Sequence, residues 1–283
     1  MRNFACLASV ALLVAGPLCG DALDGALEAF RAGELDKALE LAEDVPADDA
    51  ERPRADYLIG ELRLVLGDPS GAADAFRAVL AKRAEATPAS VGLGRALTLL
   101  GEHDDAEAVL KGALEREPKD AAAQRALGEL WMHAEKLEEA EKLLEQVYKA
   151  DKKHPMNARA LVELHLRADD LDAARKVAAA FSKTRKDHPM GPFLLALVHE
   201  RDGKDEDAIE AYQEALERDE RFLDAHKNLA ILCHTLSDTY QNTARVKLAL
   251  THYERYFALG GRDAELRRMH EVLVRFVKMP EEK

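Results

Sequence analysis

Apolar residues recur along this chain at helical spacing, in paired short blocks. Leu93, Leu97 and Leu100 lie three or four residues apart, the pattern breaks at Gly101, and it resumes at Ala106, Leu110, Ala113 and Leu114. Each block predicts an amphipathic helix, and each pair a hairpin with one apolar face that it cannot cover alone. Leucine, alanine, glutamate and lysine dominate, β-branched runs are absent, and the strongest breakers fall between the blocks, so strands are not expected.

The blocks repeat. Steps of 34 residues from Ala38 reach Ala72, Ala106, Ala140, Ala174 and Ala208. Twelve residues before each alanine stand Ala26, Gly60, Gly94, Gly128, Val162 and Ala196, and five before stand Gly33, Gly67, Gly101, Glu135, Asp169 and Gly203. Antiparallel helices approach closely where a side chain is small, and the chain reverses where a turn residue sits. Small residue, turn, small residue therefore predicts a helical hairpin, and stacking buries its open face. The predicted fold is all-α, an α-solenoid of stacked hairpins.

The next step reaches Asn242 and breaks the series; Ala249 fits it instead, with seven residues added. Shared as about one extra turn on each helix, the insertion would make Ser237 to Thr243 a projecting tip, either a docking surface or a tolerated insertion. After Gly260 and Gly261, Asp263 is placed to cap a last helix to about Val277. Leu266, Val272, Leu273 and Phe276 would face the array, with Arg267, Arg268, Glu271, Arg275 and Lys278 in water. Such a helix closes an open-ended array or offers a surface to a partner. The expected organisation is a leader at 1–22, an array of about seven units at 23–261 with the insertion near 237–243, a capping helix at 262–279 and a tail at 280–283.

The unit "GLGRALTLLGEHDDAEAVLKGALEREP", Gly92 to Pro118, resembles the tetratricopeptide repeat (TPR) family, and the resemblance covers residues 19 to 261 or so. The copy around Ala174 departs, with Val162 in a small slot and Phe181 where alanine is usual. The resemblance implies a right-handed superhelix whose concave groove, lined by the first helix of each unit, holds other proteins or their peptide segments. The groove stripes are then Tyr57 and Glu61; Val91 and Arg95; Arg125, Glu129 and His133; Arg159, Glu163 and Arg167; Phe193, Leu197 and Arg201; Lys227 and Ile231. Spacing by four puts each stripe on one helical face. Alternating charge followed by an apolar pocket at Phe193 and Leu197 would suit a peptide with an acidic stretch beside an apolar anchor. Glu129 and Glu163 stand where a clamped carboxyl terminus would be repelled.

Charge and leader narrow the setting. A net charge of -13 with no clustered Lys/Arg surface argues against a nucleic-acid partner. Arg2, the apolar run Phe4 to Ala15, then Gly16 and Pro17 have the layout of a secretory signal peptide, with cleavage after Gly20 or Ala22. The run is too short to span a bilayer, and Pro17 and Leu18 before Cys19 disfavour a lipoprotein. Export would leave Cys233 as the sole cysteine, so no internal disulfide forms, which fits a bacterial periplasm better than a small secreted scaffold.

No catalytic set is visible. "GLGR" lacks phosphate-loop spacing, "HERDG" and "HEVLV" lack the second histidine of a zinc site, and "DGKDED" lacks calcium-loop spacing. The doubled His-Pro-Met at His154 and His188 invites a soft metal, but Pro155 and Pro189 fit helix starts. Equivalent positions of adjacent repeats lie ~10 Å apart, too far for one shared ion. No enzyme, cofactor or metal is expected. The sequence leaves two functions open: a scaffold that binds a protein segment in its groove within an envelope complex, and an assembly subunit that self-associates or docks through its ends and protruding hairpin.

Overall fold

The computed structural model describes residues 21–237 and 242–278, and these form fifteen helices with no strand among them. Residues 1–20 of the expected leader, the centre of the 237–243 insertion and the tail lie outside the described residues. Two compact units result, one ending at Ala168 and one beginning at Asp169. The boundary falls in the turn of the copy that carries Val162 and Phe181.

The first unit contains α1 (Asp21–Ala32), α2 (Leu35–Glu43), α3 (Arg52–Val65), α4 (Pro69–Lys82), α5 (Thr87–Leu100), α6 (His103–Arg116), α7 (Ala121–His133), α8 (Leu137–Ala150) and α9 (Pro155–Arg167). Each helix packs on the next, and α3, α5, α7 and α9 also touch successively, forming one layer of first helices. The small slots work as the repeat requires. A Cβ on Gly60 would stand 2.7 Å from the Phe76 ring, one on Gly94 2.5 Å from Leu110 and one on Gly128 2.6 Å from Leu144. The alanines at positions 38, 72, 106 and 140 are fully buried.

The turns close alike. The Gly101 amide donates to the Thr98 carbonyl at 3.1 Å and the Glu102 amide to Leu97 at 3.0 Å, the hydrogen-bond pattern of a helix stop with a left-handed residue. Gly33, Gly67, Gly101 and Gly203 have positive φ, and so do Glu135 (57°) and Asp169 (60°), the two side chains that replace glycine in that row. A left-handed backbone costs a side-chain-bearing residue about 1–2 kcal/mol, against ~0.5–1 kcal/mol of extra chain entropy lost by glycine. Glu135→Gly is therefore expected to stabilise the first unit by about 0.5 kcal/mol. The lost Glu135–Arg167 pair, between largely exposed side chains, subtracts little. An increased urea midpoint at unchanged slope, read from Trp131, checks this; a decrease would show that the pair outweighs the strain.

The second unit contains α10 (Leu171–Thr184), α11 (Met190–Arg201), α12 (Asp205–Arg218), α13 (Leu223–Thr235), α14 (Thr243–Ala258) and α15 (Ala264–Lys278), each packed on the next. Val162 and Phe181, the departures of their copy, are both fully buried. The insertion is not shared between two helices as expected. The 13 residues of α13 equal those of α7 and α9, so the first helix gains nothing. Ala249 is the seventh residue of α14, where Ala140 is the fourth of α8, so the second helix starts three residues earlier and the connection takes the other four. Ser237 is not a projecting tip residue. It is 1% exposed, and its hydroxyl donates to the His234 carbonyl at 2.7 Å. Asn242 closes the base of the connection, donating its amide to the Ser237 carbonyl and capping α14 by accepting from Arg245 N–H.

On α15, Leu266 and Leu273 are buried as expected and Phe276 is half-buried, but Val272 is 45% exposed. It sits one position from Leu273 around the helix, about 100°, which turns it off the buried stripe. Arg267 does not simply face water: its guanidinium lies 4.8 Å from the Phe257 ring centre.

Candidate functional site

The layer of first helices in the first unit encloses a cavity of about 370 Å³. Its walls are three rows of residues 34 apart: Pro88, Ala122 and Met156; Tyr57, Val91 and Arg125; Glu61, Arg95 and Glu129. One position per turn, repeated on adjacent helices, builds a continuous wall because the helices run side by side in register. Thr87, Glu117 and Asp120 also line it.

Charge along these rows is matched within the chain. Glu61 is 2% exposed, and Arg95 Nη1 on the next helix lies 3.5 Å from each of its carboxylate oxygens. Arg125 donates from Nη1 to Asn157 Oδ1 at 2.9 Å, and its Nε lies 3.8 Å from Glu129. Asn157 is itself buried and its amide donates to the Val147 and Asp151 carbonyls at 3.4 and 3.2 Å, so a fixed side chain holds Arg125 in place. Arg159 Nε donates to Glu163 at 2.7 Å, one turn along α9. The Glu129 carboxyl is held above its ordinary range by loss of water in the concave wall, a push that Glu163 reinforces and Arg125 and Arg95 oppose.

Of the residues expected in a groove, Tyr57, Glu61, Val91, Arg95, Arg125 and Glu129 line this cavity together. Arg159 and Glu163 sit half-buried one helix further on, and His133 and Arg167 are exposed near the ends of α7 and α9. Phe193, Leu197 and Arg201 belong to the second unit. Phe193 forms no open apolar pocket: it is 1% exposed, packed 5.8 Å from the Tyr212 ring and 4.9 Å from Phe222. The same helical position points an apolar ring into the hairpin and lets an arginine stem reach past it to the surface, as at Arg125 and Arg159. Leu197 is half-buried and Arg201 exposed.

The sequence reading missed the Pro88, Ala122, Met156 row and the anchoring Asn157. The 34-residue step could have found the first; nothing local marks the second. Met156 gives the first His-Pro-Met a place, on the cavity wall behind Pro155 at the first turn of α9. In the second copy Met190 is buried, and His188 Nδ1 accepts the Met190 amide at 3.1 Å, which caps the start of α11. His165 is 6% exposed, in the slot that Trp131 fills one repeat earlier. No group of three or more metal-ligating side chains is assembled among the described residues.

Comparison with known proteins matches three tetratricopeptide repeat models to residues 23–90, 64–130 and 192–259. The chain is a tetratricopeptide repeat protein. Solved structures of the same fold agree at low identity. A tetratricopeptide repeat protein from Parabacteroides merdae is 13% identical, with a TM-score of 0.61 over 90% of this chain and 98% of that one. A thermophilic TPR protein of Thermus thermophilus is 22% identical over 64% of this chain and 97% of its own, with a TM-score of 0.55. PilW, a type IV pilus biogenesis factor, is 18% identical over 69% of this chain and 91% of its own, also at 0.55. A comparison with curated protein sequences gives no match. Tetratricopeptide repeats are typically non-enzymatic interaction scaffolds, so this fold implies protein partners. No helix among the described residues is long and apolar enough to cross a membrane.

Proposed function

We propose that this tetratricopeptide repeat protein is a non-enzymatic, exported scaffold that holds a segment of a partner protein in the cavity of its first unit, within a cell-envelope complex. The observation that supports it is the cavity itself, whose walls are the same helical positions of successive repeats and whose ionic groups are already held by partners within the chain. Walls fixed in this way lose little freedom on binding a segment. Export rests on the leader pattern of residues 2–20, and the non-enzymatic reading on the tetratricopeptide repeat family, whose members are typically scaffolds.

A second reading, docking through the C-terminal end, is favoured by Val272 and Val277, 45% and 51% exposed on α15. One experiment separates the two. Ala122→Phe fills the cavity without changing its charge, and Val272→Ser with Val277→Ser removes the apolar end. The full chain and both variants, each checked for unchanged helicity, are used as bait in envelope extract. The partner is expected to be lost from Ala122→Phe alone. Retention by Ala122→Phe with loss from the α15 variant would move the site to the C-terminal end and sink the cavity reading.

A further inference from the structure

The charge of the cavity and an apolar ridge beside it specify the partner more closely. Two of its four carboxylates are matched, Glu61 by Arg95 and Glu129 by Arg125. Glu117 and Asp120 are held by uncharged donors, Glu117 by the Thr87 hydroxyl at 2.6 Å and Asp120 by the Ala123 amide at 2.6 Å as the cap of α7. No third cation lines the wall among the described residues, so the cavity carries an excess of two negative charges.

One turn beyond Glu61 and Arg95 on the same helices stand Val65 and Leu99, again 34 apart and among the few large apolar side chains left exposed, at 42% and 60%. Four residues along a helix is about 6 Å, and side chains four apart share a face, so this ridge continues the cavity wall. The valine and leucine positions become His133 and Arg167 in the next two repeats, so the apolar stretch is confined to the cavity's own end.

Resting on the scaffold reading above, we infer that the occupant is an extended peptide segment carrying a lysine or arginine, seated against Glu117 and Asp120, with an aliphatic residue about six positions away on Val65 and Leu99. Asp120 caps the start of α7, level with Ala86 at the start of α5, and Leu99 stands thirteen residues further along α5; the ~20 Å of helix rise between them is covered by about six extended residues at ~3.3 Å each. An acidic segment, the partner that alternating charge suggested, would meet arginines already matched and two carboxylates that repel it. Charge of the cavity decides selectivity here, since like charges across an interface are strongly disfavoured.

The test uses the full chain and fluorescein-labelled twelve-residue Gly/Ser peptides containing Lys-Gly-Ser-Gly-Ser-Gly-Leu, Glu-Gly-Ser-Gly-Ser-Gly-Leu or Lys-Gly-Ser-Gly-Ser-Gly-Ser, with binding read by anisotropy. The lysine–leucine peptide is expected to bind at least about tenfold tighter than either other peptide. Glu117→Gln with Asp120→Asn keeps both hydrogen-bonding roles while removing the charge, and is expected to erase the lysine preference and flatten the salt dependence. Leu99→Ser is expected to erase the leucine preference alone. Tighter binding of the glutamate peptide, or a lysine preference untouched by the neutralised pair, overturns the charge assignment. The glutamate result would do so while leaving the cavity in use. If none of the three peptides binds, or if Ala122→Phe leaves their binding unchanged, both this assignment and the scaffold reading fall.

Discussion

Phe76→Ala is expected to lower the stability of the first unit by about 3–5 kcal/mol, the usual cost of emptying a buried aromatic site. Phe76 on α4 is fully buried and is the wedge between two first helices. A methyl added at Gly60 on α3 would stand 2.7 Å from its ring, and one at Gly92 on α5 2.4 Å from it. Tyr57 packs on it edge to face, with ring centres 5.6 Å apart. Removing the ring leaves two glycines facing a void, with no side chain of their own to fill it. The protein's single tryptophan, Trp131, lies in the same unit, donating to Glu107 at 3.2 Å, so its fluorescence during urea titration reports on this unit rather than on the second. In a repeat protein that distinction matters, because repeats need not unfold together. Gly92→Ala supplies the internal check. It should cost about 1–3 kcal/mol with Phe76 present and far less with alanine there, since the two substitutions act on one contact. Equal costs in both backgrounds, or a Phe76→Ala loss below about 1 kcal/mol, would show that the ring is not the wedge.

Acid should weaken the second unit through two histidines. His226 and His252 face one another at 2.8 Å between their Nδ1 atoms. The Nε2–H of His226 donates to the Glu220 carbonyl at 3.0 Å, which leaves its Nδ1 as acceptor and makes His252 the donor. Neither ring gains a proton easily. Burial lowers both, and the neighbouring imidazole lowers His252 further, to about 4. For His226 the Arg255 charge works in the same direction, while the Glu220 carbonyl and Asp219 oppose it. The sign follows from proton uptake: below the ordinary imidazole range the unfolded chain binds protons that the folded pair refuses, so stability falls with pH. The contribution is complete above pH ~6.5 and is lost progressively toward pH ~4, by about 2–3 kcal/mol after allowance for the partial exposure of the pair. His252→Gln keeps a polar partner and should flatten this slope while leaving stability at pH 7.5 within about 1 kcal/mol. Thermal unfolding of both proteins at a series of pH values decides it. An unchanged slope in His252→Gln would assign acid sensitivity to other groups.

The cysteine of this unit takes no part in such chemistry. Cys233 is fully buried, and burial pushes its thiol up to about 11, so it packs as a small apolar residue.

Sequence by itself determined the architecture, because a repeat writes its packing rule into every copy. Close approach at Gly60, Gly94 and Gly128 depends on the size of one side chain, and the turn at Gly101 on the backbone freedom of one residue. Both are local properties that a 34-residue step exposes. The same step identified six of the cavity's wall residues. It also marked Glu135 and Asp169 as positions that take the left-handed turn without glycine.

Only the tertiary structure decided what those positions do. Phe193 and Arg125 occupy one helical slot, yet a ring is drawn into the hairpin by burial and a guanidinium stem passes outward, a choice made by neighbours far along the chain. The insertion before Ala249 could lengthen either helix or the connection. Cap bonds at Asn242 and the buried Ser237 put it in α14 and the connection. The charge balance of the cavity was hidden for the same reason. Alternating signs at four-residue spacing look open to a partner until the facing helix supplies Glu61 to Arg95 and Asn157 to Arg125. Ionic pairing depends on distance in three dimensions, and the period along the chain carries no record of it.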